Sequence, residues 1–216
     1  IKFDLILICG PKDVDNIGAV CYSWKKHSNA AKIYVVSPRR IHHALPNSVY
    51  PIDERDLTST NPLDIGNLID GYDRSILGKN MSNWFFQQFL KLNTHKIEGL
   101  SEYYVISDAD HYLLKDQSFY CNNIPIVKYS DENHFLYKIT TKQILGFQMY
   151  YSIGFVCHHF SCLKSKNIDL VNDLQANFGR HWEREIIKLS KRNKLRFSEY
   201  DLLANYYLKR SRNKPV

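Results

Sequence analysis

Phe3-Asp4-Leu5-Ile6-Leu7-Ile8-Cys9, stopped by Gly10-Pro11, is the stretch on which the fold turns. It reads as an apolar run, interrupted only by Asp4 and closed by a turn pair, the pattern of a strand buried inside a parallel sheet. Asp13 or Asp15 can open a helix that runs to about His27, with Ile17, Val20, Cys21 and Trp24 on one face. Ile33-Tyr34-Val35-Val36, stopped by Ser37-Pro38, is a second buried strand. Strand, glycine turn, helix and strand in this order predict a βαβ unit with a right-handed crossover.

Outward from this unit the pattern continues. Ser48 to Ile52 predicts a short third strand. Residues 56–80, with Asn61-Pro62, Gly66, Gly71 and Gly78, read as a loop with one short helix. Ser82 is placed to cap an amphipathic helix over Asn83–Asn93, with Trp84, Phe85, Phe89 and Leu92 inward. Glu102 to Ser107 predicts another strand, and residues 117–156 predict a more antiparallel sheet region. The last stretch reads as helices over about 162–177, 180–192 and 198–210. No repeat or Gly/Ser linker interrupts the chain, so one α/β domain with a mixed second half is expected.

Composition bounds the function. With 216 residues, 44% hydrophobic and 24% charged, the chain can bury a core without disulfide or metal staples. No apolar run approaches the roughly 18–20 residues of a membrane span. Residues 164–216 carry 13 Lys and Arg against 6 Asp and Glu, a net of +7, while residues 1–163 carry 16 of each. That excess is either a set of solvated helix faces or a surface for something anionic, such as a membrane leaflet, a lipid-linked acceptor or a nucleic acid. Five cysteines without framework spacing point to a reducing, cytoplasmic compartment. The start at Ile1 and the end at Lys214-Pro215-Val216 fit a segment of a longer chain.

The strongest local signal is Tyr103-Tyr104-Val105-Ile106-Ser107-Asp108-Ala109-Asp110. Two carboxylates two residues apart, just past a buried strand, belong at the carboxyl edge of a sheet, where open α/β folds bind ligands. In an extended strand both would face one way and could share a hard cation. Mg²⁺ or Mn²⁺, with oxygen ligands and substrate phosphates, is the natural occupant. A solvated turn is the plain alternative.

With these residues the chain resembles a nucleotide-sugar glycosyltransferase of the GT-A type, and more narrowly a glycosyltransferase-like group common in polysaccharide loci. The resemblance rests on Asn83-Trp84-Phe85-Phe86-Gln87-Gln88-Phe89-Leu90-Lys91-Leu92, the strand with Asp108 and Asp110, Cys157-His158-His159-Phe160, and Phe197-Ser198-Glu199-Tyr200-Asp201. It spans about residues 3 to 208. It implies a GT-A-like α/β fold over 1–216, with a Rossmann-like βαβ nucleotide-binding half (1–110) and an acceptor-binding half (111–216) of mixed sheet and C-terminal helices. Asp108 and Asp110 match the Asp-x-Asp pair that holds metal and donor diphosphate, and His158 or His159 would complete the metal site. Cys9-Gly10-Pro11-Lys12 matches the loop that meets nucleobase and ribose. Gln87, Gln88 and Lys91 precede the metal strand, and Gln88 and Lys91 share a helical face from which they could reach the donor. Asp73 and Arg74 could close over the donor.

Glu199 is the second informative acid. After Ser198 it can simply sit in the first turn of a helix, where the dipole favours negative charge. By the resemblance it is a general base for an acceptor hydroxyl, or an acceptor-binding group, with Asp201 as an alternative.

Other chemistries are weighed on the same residues. Cys157-His158-His159 with Cys162 could hold zinc, but the spacing is tight and no distant partner stands out. His42-His43 reads as a polar loop. There is no Gly-x-Gly-x-x-Gly after the first strand, no Walker A sequence and no Gly-x-Ser-x-Gly elbow. A sugar-phosphate nucleotidyltransferase would share the metal chemistry, yet Cys9-Gly10-Pro11-Lys12-Asp13 lacks its Gly-rich basic loop. A non-enzymatic module binding RNA or lipid through the basic helices would not need Asp108 and Asp110. The expectation is therefore a metal-dependent hexosyltransferase-like enzyme using Mn²⁺ or Mg²⁺, a UDP-sugar donor and a glycan or lipid-linked acceptor. No nucleic acid partner is expected, and the basic helices suggest contact with the inner face of a membrane.

Overall fold

The computed structural model describes residues 1–70, 81–147, 153–194 and 196–212. Among these residues the fold is α/β, with a mixed, mostly parallel five-stranded sheet compatible with a Rossmann-like arrangement. The chain divides into two compact units. Unit 1 comprises 1–58, 93–128 and 158–167, and unit 2 comprises 59–92, 129–157 and 168–216, so both draw on segments before and after residue 110. Asp73 and Arg74 lie outside the described residues.

Unit 1 is the sheet. β1 (Phe3–Ile8) is buried at every position, its apolar residues in the core and Asp4 with its carboxylate accepting the Ser101 N–H at 2.9 Å. A short 3-10 turn, Val14–Asn16, leads into α1 (Ile17–His27), which buries Ile17, Val20, Cys21 and Trp24. β2 (Ala30–Ser37) pairs parallel with β1, and β3 (Tyr50–Asp53) pairs parallel with β2. α2 (Glu54–Leu57) follows at once. β4 (Tyr103–Asp108) pairs parallel with the other side of β1. β5 (Tyr120–Cys121) and β6 (Ile124–Pro125) form a hairpin whose turn, Asn122-Asn123, has both φ angles positive (49° and 64°), a backbone that Asn tolerates. The Tyr120 hydroxyl lies at 2.6 and 2.9 Å from the carbonyls of Tyr104 and Cys162. Beneath the sheet, Trp24 stacks on Phe119 at 4.9 Å and donates its indole N–H to the His111 carbonyl at 3.0 Å.

Unit 2 is helical. α3 (Pro62–Ile69) begins as its sequence directs: Asn61 caps it by accepting the Asp64 N–H, and Pro62 takes the first turn, where a missing N–H is harmless. At its other end Lys191 donates to the carbonyls of Leu68 and Asp70, a cation placed where the helix dipole favours it. α4 (Met81–Leu92) buries Phe85, Phe86, Phe89, Leu90 and Leu92, and Ser82 lies inside it rather than capping it. Further on come α5 (Phe135–Leu145), α7 (Trp182–Arg192) and α8 (Glu199–Arg212). Phe197 meets Phe85 and Phe89 at 6.2 Å each, and Phe89 meets Trp182 at 5.8 Å.

Two stretches depart from the sequence expectation. Within 117–156 the only regular pairing among the described residues beyond the short β5–β6 hairpin is one bridge, Ser130 to Gly154, and Phe135–Leu145 is a helix. Its aromatic and branched residues suit strands, but Tyr137, Thr140, Thr141 and Ile144 recur at helical spacing and are buried together. Residues 162 and 163, at the start of the expected helix, instead end β7 (His159–Leu163), antiparallel to β4, and α6 (Lys164–Phe178) follows. No described helix is long and apolar enough to cross a membrane.

Candidate functional site

The sheet order is β3-β2-β1-β4-β7. The chain leaves β1 for β2 on one side and returns to β4 on the other, so the order reverses between β1 and β4. In open α/β sheets that switch point, at the carboxyl ends of the strands, is where ligands bind. Register brings Ile8 of β1 level with Asp108 of β4. Cys9, Gly10 and Asp108 therefore lie at one carboxyl edge, with Ser37 and Asp53 at the ends of β2 and β3.

Within the β1 loop the Gly10 carbonyl accepts the Asp13 N–H at 3.0 Å, and Pro11 and Lys12 are exposed. Cys9 is buried, and burial, helped by Asp13, pushes its thiol up to about 12, so it stays protonated and packs as a small apolar group. The Ser37 hydroxyl is buried without a partner among the described residues. Asp53 is held down to about 2 by the Arg55 guanidinium hydrogen-bonded to it.

Asp108 ends β4, where its N–H donates to the His158 carbonyl at 3.0 Å. A turn starts at Ala109, and the His111 N–H closes on the Asp108 carbonyl at 3.3 Å. Strand alternation therefore stops before Asp110, and the expectation that it would face both acids the same way does not carry over the turn. Asp108 is half-buried and Asp110 exposed.

The histidine doublet separates cleanly. The His158 side chain is 76% exposed, with Nδ1 3.8 Å from Asp108 Oδ2. His159 is buried, faces Trp24, Phe119 and His111, and meets Gln117 Nε2 at 3.3 Å. Burial, with Lys128 and His111, pulls it down to about 3. The sequence reading passed over His111, although it adjoins Asp110. Its ring stacks on His159 at 5.0 Å and 4°, lies 5.5 Å from His158, and contacts the Ser107 hydroxyl at 3.2 Å. Cys162 is buried in β7, and among the described residues no three His, Cys, Asp or Glu side chains converge as a ready metal cage, zinc included.

The remaining candidates lie in unit 2. Gln87 is half-buried on α4. Gln88 and Lys91 are buried, and both turn to the start of α8: Gln88 Oε1 accepts the Glu199 N–H at 2.9 Å, and Lys91 Nζ donates to Glu199 Oε1 at 2.7 Å. Lys91 also lies over the Tyr200 ring at 4.4 Å. Ser198 caps α8, its hydroxyl accepting the Asp201 N–H at 3.2 Å. Asp201 forms a second buried ion pair, with Lys138 at 3.0 Å, and accepts the Phe155 N–H. Burial raises the Asp201 carboxyl, against the pull of Lys138. Lys138 escaped the sequence reading because its helix was read as sheet.

Compared with known proteins, the chain matches no family model, and no curated protein matches it significantly.

Proposed function

We propose that the protein is a metal-dependent glycosyltransferase with a GT-A-like fold, moving a hexosyl group from a UDP-sugar to a hydroxyl of a glycan or lipid-linked acceptor. The observation that supports this most is the location of Asp108 at the carboxyl end of β4, level with the end of β1 at the switch point of the sheet. Gly10, Pro11 and Lys12 follow β1 at the same edge and would meet the nucleoside.

The donor set suits Mg²⁺ or Mn²⁺. Asp108 and Asp110 offer hard oxygens, and His158 adds an accessible nitrogen. A hard cation at this edge would be held by one or two carboxylates, with substrate phosphates and water completing its shell. Such a cation would offset the charge that builds on a diphosphate leaving group. Of the doublet, His158 is the residue assigned here; buried His159 supports the sheet edge. Glu199 is the acid assigned to the acceptor, the base if the reaction inverts and an orienting group if it retains; because it is buried and paired with Lys91 at 2.7 Å, either role requires that pair to open toward the acceptor. Lys91 and Gln88 hold Glu199 in place.

Calorimetric titration of UDP with Mn²⁺, and again with EDTA, tests the donor half on wild type and Asp110→Ala. Metal-dependent binding lost in the variant is expected. If no UDP, GDP, CMP or dTDP sugar binds with metal present, the transferase reading fails.

A further inference from the structure

The basic excess of the C-terminal quarter is concentrated on one helix of unit 2. Residues 180–194 hold six Lys and Arg against two Glu. α6 carries Asp169 and Asp173 beyond Lys164 and Lys166, and α8 is buried from Glu199 to Tyr207. α7 buries Trp182, Glu183, Ile186, Ile187 and Ser190, so its other face meets solvent. Arg184, Lys188 and Arg192 recur on that face one turn apart, with Arg180 a turn ahead and Lys194 just beyond, and all five are exposed. Two charges leave this face: Glu183 is buried against Thr60, and Lys191 turns to the Leu68 and Asp70 carbonyls. Glu185, 2.7 Å from Lys188, and Asp64, 3.9 Å from Arg184, offset part of the charge. Leu63, beside Asp64 in the first turn of α3, is 74% exposed.

We propose that this face of α7, with Leu63 at its rim, rests on the surface of an anionic lipid bilayer. A row of cations on a rigid helix complements a plane of anionic headgroups, and each cation adds an attraction that falls off within a Debye length. The apolar side of α7 is turned into unit 2, so the contact is with headgroups, and the helix does not insert. An exposed leucine beside the cations finds an apolar region just beneath those headgroups, which a sugar-phosphate backbone does not offer. Nucleic-acid surfaces also set aromatic rings among their cations to stack bases. Trp182, the one Phe, Tyr or Trp in 180–194, is buried. The contact does not depend on the transferase reading; where both hold, it brings the enzyme to a lipid-linked acceptor.

Co-sedimentation of the full chain with lipid vesicles, without metal or nucleotide, tests the contact. The vesicles are phosphatidylcholine alone or with about one third phosphatidylserine, at low and at high salt. Binding to the anionic vesicles only, lost at high salt, is expected. Arg184→Gln/Lys188→Gln/Arg192→Gln should weaken it about fivefold per charge removed. Lys2→Gln/Lys25→Gln/Lys26→Gln removes the same charge elsewhere and should change it little. Leu63→Gln should weaken vesicle binding severalfold with no change of charge. Every substituted position is exposed, so the variants should melt with the wild type. No binding to anionic vesicles at low salt overturns the proposal, as does equal loss in the two triple variants or full binding in Leu63→Gln. Tighter binding to poly(U) than to the vesicles at the same salt would assign the face to nucleic acid and overturn it too. Metal-dependent UDP binding is measured without lipid, so either reading can fail alone.

Discussion

Lys91 of α4 and Glu199 of α8 are 108 residues apart in the chain, yet their charged atoms close to 2.7 Å with each side chain only 6% exposed. Removing one partner leaves the other charge buried and unpaired. Lys91→Met or Glu199→Leu should each lower stability by about 3–5 kcal/mol. The double variant Lys91→Met/Glu199→Leu should recover most of that loss, because no charge is then stranded. Urea unfolding of the three variants measures it. Additive losses would show that the pair is not coupled.

Asp108 and His158 should affect ligand binding, whereas His159 should affect the fold. Asp108→Asn is expected to abolish metal-dependent UDP binding with little change in melting temperature. His158→Ala, at an exposed position, should weaken the metal dependence alone. His159→Ala should instead lower the melting temperature, since it empties a space packed by Trp24, Phe119 and His111. Calorimetry and thermal melts on one set of variants separate the two behaviours.

Asp53 carries a pH signature. Its folded value of about 2 lies below the ordinary 3.8, chiefly because Arg55 hydrogen-bonds the carboxylate. An acid depressed on folding stabilises above its unfolded value and loses that contribution as pH falls through the folded one. Wild type should therefore exceed Arg55→Ala in stability above about pH 4 and converge with it toward pH 2. Carboxyl carbon NMR should find Asp53 titrating closer to 3.8 in the variant. An unmoved titration would rule out the Arg55 contact as the cause.

Thiol reactivity should follow burial. Cys121 is exposed, whereas Cys9, Cys21 and Cys162 are buried, with Cys9 and Cys21 pushed up to about 12 and 11 mainly by burial. An aromatic disulfide reagent at pH 8 should modify Cys121 first, half-buried Cys157 more slowly, and the buried three only on unfolding. Rapid labelling of Cys9 would mean that the end of β1 opens readily in solution.

The stretches legible in the sequence were those whose pattern and burial have one cause. Apart from Asp4, whose buried carboxylate accepts the Ser101 N–H at 2.9 Å, Phe3–Cys9 is apolar, as is most of Ile33–Val36, because both faces of a parallel strand are covered, so local composition reports the tertiary environment directly. The helix face Ile17, Val20, Cys21 and Trp24, and the Ser198 cap of α8, are likewise local decisions that the chain states in place. Residues 135–145 were misread because Phe, Leu, Tyr, Ile and Thr suit either strand or helix, and packing against α8 and α7, not propensity, selects the helix.

Local pattern located the acids but not their partners. Asp108 follows from a strand that ends in carboxylates, while its nearness to His158 depends on β7 running antiparallel beside β4, a pairing between residues some fifty positions apart. The choice between His158 and His159 is a matter of strand alternation: neighbouring side chains leave a sheet on opposite faces, and only the sheet defines which face is covered. Glu199 and Asp201 are visible as acids at a helix start. That each meets a buried lysine, Lys91 or Lys138, was decided by helix packing alone, because ion pairs across such separations leave no periodic trace in the chain.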